Sequence, residues 1–138
     1  MVSLEAALLW VGVAYFLCMA TAHVTDFKVP ILFVYFDVPS TFYQNKIISF
    51  TCLTYATLFA FAAIHGNTAP AAISMFTTAL GLTHVNMSAA LRTEMKKRDK
   101  DSKLKPGLVW YRRDTLAYWA QTVVIAGYGA VLAALYYY

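Results

Sequence analysis

Residues 47–91 read IISFTCLTYATLFAFAAIHGNTAPAAISMFTTALGLTHVNMSAAL, and no Asp, Glu, Lys or Arg occurs among them. Two apolar runs, 47–64 and 71–91, flank a short polar stretch. A helix needs about 20 apolar residues to cross the hydrocarbon core of a bilayer, so each run suits one membrane span. Pro70 stands in the first turn of the second helix, where proline is tolerated. The stretch therefore predicts two antiparallel membrane helices joined by a tight turn.

Two further apolar runs, 6–24 and 115–137, lie outside this pair and also contain no charged residue. Over the 138 residues, 60% are hydrophobic and 13% are charged, whereas a soluble domain has about 25% charged residues. A chain so short and so apolar lacks the polar surface of a soluble enzyme or a DNA-reading domain. We predict an all-α fold, in which residues 1–138 form a single integral membrane four-helix bundle.

The segment 29–36, between the first two spans, is apolar but too short to cross a bilayer. We expect it to lie in the membrane interface or to dip part-way into the bilayer, with Tyr35 and Tyr43 at the depth of the lipid headgroups. No Lys or Arg precedes the first span, so we interpret that span as retained and not as a cleaved signal peptide.

The positive charges give the predicted topology. All 11 Lys and Arg residues lie in two loops: Lys28 and Lys46 after the first span, and the other nine between Arg92 and Arg113. Basic loops stay on the cytoplasmic side of a membrane. We therefore predict that both termini face out, and that the basic inner loop 92–114 lies in the cytoplasm, stroma or matrix. Plasma, thylakoid and inner mitochondrial membranes follow the same rule and are not distinguished by it.

Polar side chains gather in the predicted inner half of the bundle. His23 and Asp26 are three residues apart and share one face of a helix. Ionisable and amide groups inside a span are costly, which makes them candidates for function. The candidate cluster contains His23, Asp26, His84, Asn86 and Gln121, with Tyr43 and Asn45 added from the first loop.

Three interpretations of this cluster stay open. In the first, its members only form hydrogen bonds between helices. In the second, the cluster is a catalytic or ligand-binding pocket, with His84 or His23 as general acid or base and Asp26 orienting His23. In the third, His23 and His84 are axial ligands of a b-type haem. The two imidazoles would differ in depth by roughly 8–9 Å at 1.5 Å per residue, which disfavours haem. No cofactor is predicted, and no zinc-ligand spacing occurs.

Small residues on the spans predict close helix packing, because lipid gives no hydrophobic drive for helix association. These lines of small residues, here called seams, pack either against other helices of the bundle or against another chain. The last span carries the seam that we consider best suited to a second chain. The seam residues are Ser49, Cys52, Ala56, Ala60 and Ala63 in the second span, Ser74, Thr77, Gly81, His84 and Ser88 in the third, and Ala126, Ala130 and Ala134 with Gly129 and Ala133 in the fourth.

In size, span number and loop orientation the chain is similar to the small membrane enzymes of glutathione and eicosanoid chemistry. That resemblance implies an Asn…Glu pair opening the second helix. Here Gln44, Asn45 and Lys46 stand at that place, and no Glu follows before Glu94. Because this motif is missing, we do not assign the family.

The sequence favours a non-catalytic accessory, assembly or scaffold subunit of a larger membrane complex. The four cores contain no charged residue, and no catalytic motif is present. The expected partners are membrane lipid and other membrane subunits or a second copy of the chain. Nucleic acid is not expected, because the basic loop is mixed in sign. The alternative is a small membrane-embedded enzyme or lipophile-binding protein that uses the inner polar cluster.

Overall fold

A computed structural model describes residues 3–27, 42–87 and 116–137, with side chains from 119 onward in the last range. These residues form four helices: α1 Leu4–Thr25, α2 Phe42–His65, α3 Ala69–Met87 and α4 Leu116–Tyr137. The described chain is therefore all-helical, as the sequence predicts. The segment 29–36 and the basic loop 92–114, for which we predict an interfacial and a cytoplasmic position, lie outside the described residues, as does the end of the third predicted span.

Three helical stretches, Leu4–Thr25, Phe42–His65 and Trp119–Tyr137, are long and apolar enough to cross a membrane. This composition is compatible with a multi-pass membrane protein. The described part of α3 does not reach the same apolarity, although it has 19 residues. Its polar residues account for the difference: Ser74, Thr77, Thr78, Thr83, His84 and Asn86.

Helix α2 begins at Phe42, whereas the sequence prediction started the second span at Ile47. The prediction that Tyr43, Asn45 and Lys46 belong to the first loop is therefore wrong. Polar character made this stretch look like a loop. Its polar side chains instead bond to α1 and hold the first turns of α2 in place: Asn45 donates to Asp26, and Lys46 donates to the Val24 carbonyl.

Helices α1 and α2 end in the same way, each with a left-handed residue that closes a Schellman motif. After α1 this residue is Asp26, at φ 53°, and the Phe27 N–H donates to the Ala22 carbonyl at 3.0 Å. After α2 it is Gly66, at φ 62°, and the Asn67 N–H donates to the Ala62 carbonyl at 3.1 Å. Both helix ends thus provide hydrogen-bond donors for carbonyls that would otherwise lack partners.

The turn between α2 and α3 is fixed to the rest of the bundle. The Asn67 side-chain oxygen accepts a hydrogen bond from the Ala69 N–H at 3.0 Å. The Thr68 hydroxyl, which is buried, donates to the Leu132 carbonyl of α4 at 2.8 Å. The predicted tight connection is therefore present, and it contacts α4 as well as its own two helices.

The helices pack as two pairs. α1 lies along α2, α3 lies along α4, and α2 contacts α3 less extensively. In the first pair the Phe16 and Phe59 rings meet at 5.6 Å between centroids, and a Cβ added at Gly12 would overlap the Phe59 ring. In the second pair, a Cβ added at Gly129 would lie 2.9 Å from the Met75 Cβ. Each pair thus has a glycine at a place where a larger side chain would crowd the partner helix.

Candidate functional site

The end of α1 and the start of α2 are joined by three side-chain hydrogen bonds. The Asn45 amide Nδ2 donates to Asp26 Oδ1 at 2.8 Å. The Lys46 ammonium donates to the Val24 carbonyl and the Ser49 hydroxyl to the Ala20 carbonyl, each at 2.8 Å. We call Asp26, Asn45, Lys46 and Ser49 the α1–α2 clamp.

Asp26 is the one described non-glycine residue with positive φ. The left-handed region is costly for most L-residues, and Asp and Asn tolerate it better than others. Glycine would serve the backbone better. Its side-chain oxygen accepts the hydrogen bond from Asn45, across the seam between the two helices.

Asn45 is buried, with 4% of its surface exposed. Its Nδ2 must point at Asp26, because a carboxylate oxygen only accepts. This leaves its Oδ1 without a hydrogen-bond donor among the described residues. An unsatisfied buried acceptor costs about 1–3 kcal/mol. The hydrogen bond to Asp26 holds the Asn45 amide in this orientation despite that cost. His23 is also buried, at 7% exposure, on the stretch of α1 between Ala20 and Asp26.

A second polar contact lies between α3 and α4. The Asn86 amide donates to the Thr122 hydroxyl at 3.0 Å, and both side chains are buried. Gln121, the neighbour of Thr122, donates to the Tyr15 hydroxyl of α1 at 3.4 Å. The Tyr128 hydroxyl donates to the Leu8 carbonyl and so joins α4 to α1 a second time.

The remaining two candidates point away from these contacts. Tyr43 has 72% of its surface exposed. His84 is exposed on α3, in line with Thr77, Leu80 and Gly81 on the same helical face. His23, by contrast, is buried in α1. The structure thus distributes the predicted cluster over the clamp, the Asn86–Thr122 contact, the Gln121–Tyr15 contact and the open face of α3.

Sequence reasoning missed several residues that make these contacts, among them Tyr15, Thr122 and Tyr128. Each is an ordinary residue in an apolar run, and no motif distinguishes it. The spacing of residues along the helix is the one available signal. Thr122 lies four residues before Ala126 and seven before Gly129, which places all three on the face that α4 turns towards α3. That side is known only once the neighbouring helix is placed.

Within the three described ranges, no group of three or more His, Cys, Asp or Glu side chains is arranged to hold a metal ion. The chain matches no known protein family, and neither curated proteins nor solved structures show a detectable similarity to it.

Proposed function

We propose that this protein is a multi-pass subunit of a larger membrane complex, with an accessory, assembly or scaffold role, and that all four helices cross the bilayer. Three helices have the required length and apolarity. α3 is compatible with lipid despite its polar residues, because its hydroxyls bond to carbonyls within the helix. Thr77 donates to the Ile73 carbonyl, Thr78 to that of Ser74 and Thr83 to that of Ala79, at 2.7–2.9 Å. Such bonds satisfy polar groups where no water is present.

The proposed orientation follows from charge. Both termini face out, and the basic loops lie on the cytoplasmic, stromal or matrix side. Of the 11 Lys and Arg residues in the chain, one lies in a described segment, and this is Lys46 at the start of α2. Its position beside the end of α1 is consistent with a membrane boundary at that level.

The main support for a protein partner is the exposed imidazole of His84. Ionisable side chains inside membrane spans almost always face the interior of a bundle or a cavity. Among the described residues His84 is exposed, and Gly81, one turn away, is open: a Cβ added there would meet nothing within 4 Å. An exposed glycine lets another helix approach closely, and an imidazole offers that helix a hydrogen bond. This face is suited to a helix of another subunit.

The outer face of α4 supports the same conclusion. Gly129 and Ala133 of the predicted seam turn towards the bundle, and Ala130 and Ala134 turn outward. One line of exposed residues then alternates between small side chains and valine at the heptad spacing of packed helices. They are Ala120, Val124, Gly127, Val131 and Ala134.

The test is the native mass of the protein, extracted from its own membrane in mild detergent. We expect wild type to run within a complex, and His84→Ala to run at lower mass with unchanged helicity. His65→Ala is the matched control: His65 is also exposed but lies at the far end of α2, against the Phe61 ring. A wild-type protein that runs alone contradicts the proposal. The search would then turn to a lipid or cofactor bound near His84.

A further inference from the structure

The carboxylate of Asp26 carries a charge that the fold itself does not use. The left-handed backbone would accept glycine or asparagine. An asparagine oxygen would also accept the hydrogen bond from Asn45. Among the described residues no ion pair reaches Asp26, and its side chain is exposed. The negative charge is thus held at a defined place and is open to a ligand.

Lys46 supplies a positive charge next to it. Its ammonium uses one of three N–H donors on the Val24 carbonyl, two residues before Asp26, and lies 4.7 Å from the centroid of the Phe42 ring. Two donors therefore remain for another acceptor. Asp26 lies just past the end of α1, and Lys46 at the start of α2 bonds to that same end of α1, so the two opposite charges belong to one end of the α1–α2 pair.

Large apolar side chains surround these charges and are strongly exposed. Phe27 is 70% exposed, Phe42 is 77% exposed and Tyr43 is 72% exposed. Exposed aromatic rings beside charged groups at the end of a membrane helix are typical of the headgroup layer. Phospholipid headgroups occupy that layer.

We propose that Asp26 and Lys46 bind the headgroup of an aminophospholipid, namely phosphatidylethanolamine. Its primary ammonium donates to the Asp26 carboxylate, and its phosphate accepts from Lys46. A choline headgroup has no N–H to donate, and a glycerol headgroup has no positive charge for Asp26. Asn45 acts as a positioning residue that orients the carboxylate. This inference rests on the membrane embedding in the proposed function but not on a protein partner.

The test uses the full chain reconstituted in vesicles of equal parts phosphatidylethanolamine, phosphatidylcholine and phosphatidylglycerol with identical acyl chains. The lipids that stay bound are counted by native mass spectrometry. We expect phosphatidylethanolamine to be enriched roughly 1.4- to 5-fold, the range for one exposed ion pair. Asp26→Asn keeps the left-handed backbone and the acceptor for Asn45, and it should abolish the enrichment. Glu5→Gln removes the same charge from the far end of α1 and should leave the enrichment unchanged.

Three results would overturn the inference: no preference for phosphatidylethanolamine over phosphatidylcholine, enrichment of phosphatidylglycerol instead, or an Asp26→Asn variant that behaves as wild type. Helicity and thermal unfolding of each variant show that the fold is intact. A chain that does not float with the vesicles would contradict the membrane embedding itself. A chain that floats without lipid preference contradicts only the headgroup site.

Discussion

The two helix pairs distribute bulky side chains differently. The α1–α2 pair has aromatic rings in its seam, with Phe16 and Phe59 packed against the backbone at Gly12. Its outer surface is also bulky, with Trp10, Phe50 and other large side chains exposed. The α3–α4 pair has mostly small residues in its seam. Its outer surface also exposes large side chains such as Ile73 and Leu80, but it adds His84 on α3 and a line of small residues and valines on α4.

This difference leads to separate predictions for the two pairs. Bulky apolar side chains suit lipid, and the exposed hydroxyls of α2 bond to the helix carbonyls four residues earlier, as Thr51 does to Ile47. A surface of small residues and an imidazole gains more from a second helix than from lipid. We therefore expect substitutions in the first pair to change stability, and substitutions on the outside of the second pair to change assembly.

The largest effect is expected at Gly12. In Gly12→Ala the new methyl group overlaps the buried Phe59 ring, and overpacking of this kind costs about 1–3 kcal/mol. Gly81→Ala is the control, since its Cβ meets nothing and alanine favours a helix more than glycine by about 1 kcal/mol. Unfolding in detergent, followed by circular dichroism, measures both. Equal stability of Gly12→Ala and wild type would contradict the packing described for the first pair.

Gly127→Leu tests the outside of the second pair. Gly127 is exposed, and a Cβ there meets no atom of the chain, so we expect unchanged folding. A bulky side chain in a close helix contact should weaken assembly by about 1–2 kcal/mol, which is roughly 5- to 30-fold. Native mass in mild detergent reports the loss. Ala14→Leu, on the exposed side of α1, should change neither quantity; equal loss of mass in both variants would count against a specific face.

A double-mutant cycle at Asn86 and Thr122 measures the polar contact inside the second pair. Asn86→Ala and Thr122→Val each remove one partner of a buried hydrogen bond. Interhelical hydrogen bonds in membranes couple by about 0.6 kcal/mol, and we expect a coupling energy of that size. Additive losses of stability in the double variant would show that the two side chains do not act together.

An effect of similar, small size is expected at Lys46. Lys46→Met keeps the apolar stem and removes the bond to the Val24 carbonyl and the contact with the Phe42 ring. We expect a loss of about 0.5–1 kcal/mol, typical of one cation near a ring or a helix C-terminus. Phe42→Leu removes the ring alone and should cost less. A larger loss in Phe42→Leu would show that the ring, and not the bond to α1, is the main contribution.

The existence of the four helices could be predicted, because the bilayer sets the length of an apolar run. The directions of their faces could not. α4 has small residues on several sides, and sequence alone does not show that Gly129 faces α3 while Gly127 faces outward. The same uncertainty applies to His84 and Asn86: they are two residues apart, yet one is exposed and the other is buried. The helices packed against a given helix decide which of its faces turns inward.

At the start of α2 the sequence prediction fails for a different reason. Polar residues at 43–46 suggested a loop, since composition was the only available guide. The partners that make this stretch helical, Asp26 and the Val24 carbonyl, belong to α1. Contacts between residues about twenty positions apart are not visible in the local sequence. These contacts also determine which members of the predicted cluster meet.

Photocrosslinking in the native membrane tests the central claim most directly. A photoreactive leucine analogue is placed either at Leu80, on the face of α3 that contains His84, or at Leu53 on α2; both side chains are exposed. We predict that position 80 gives an adduct with another membrane protein or a second copy of the chain, and that position 53 gives adducts with lipid. Lipid adducts alone from both positions would contradict the proposal that the protein is a subunit of a larger complex.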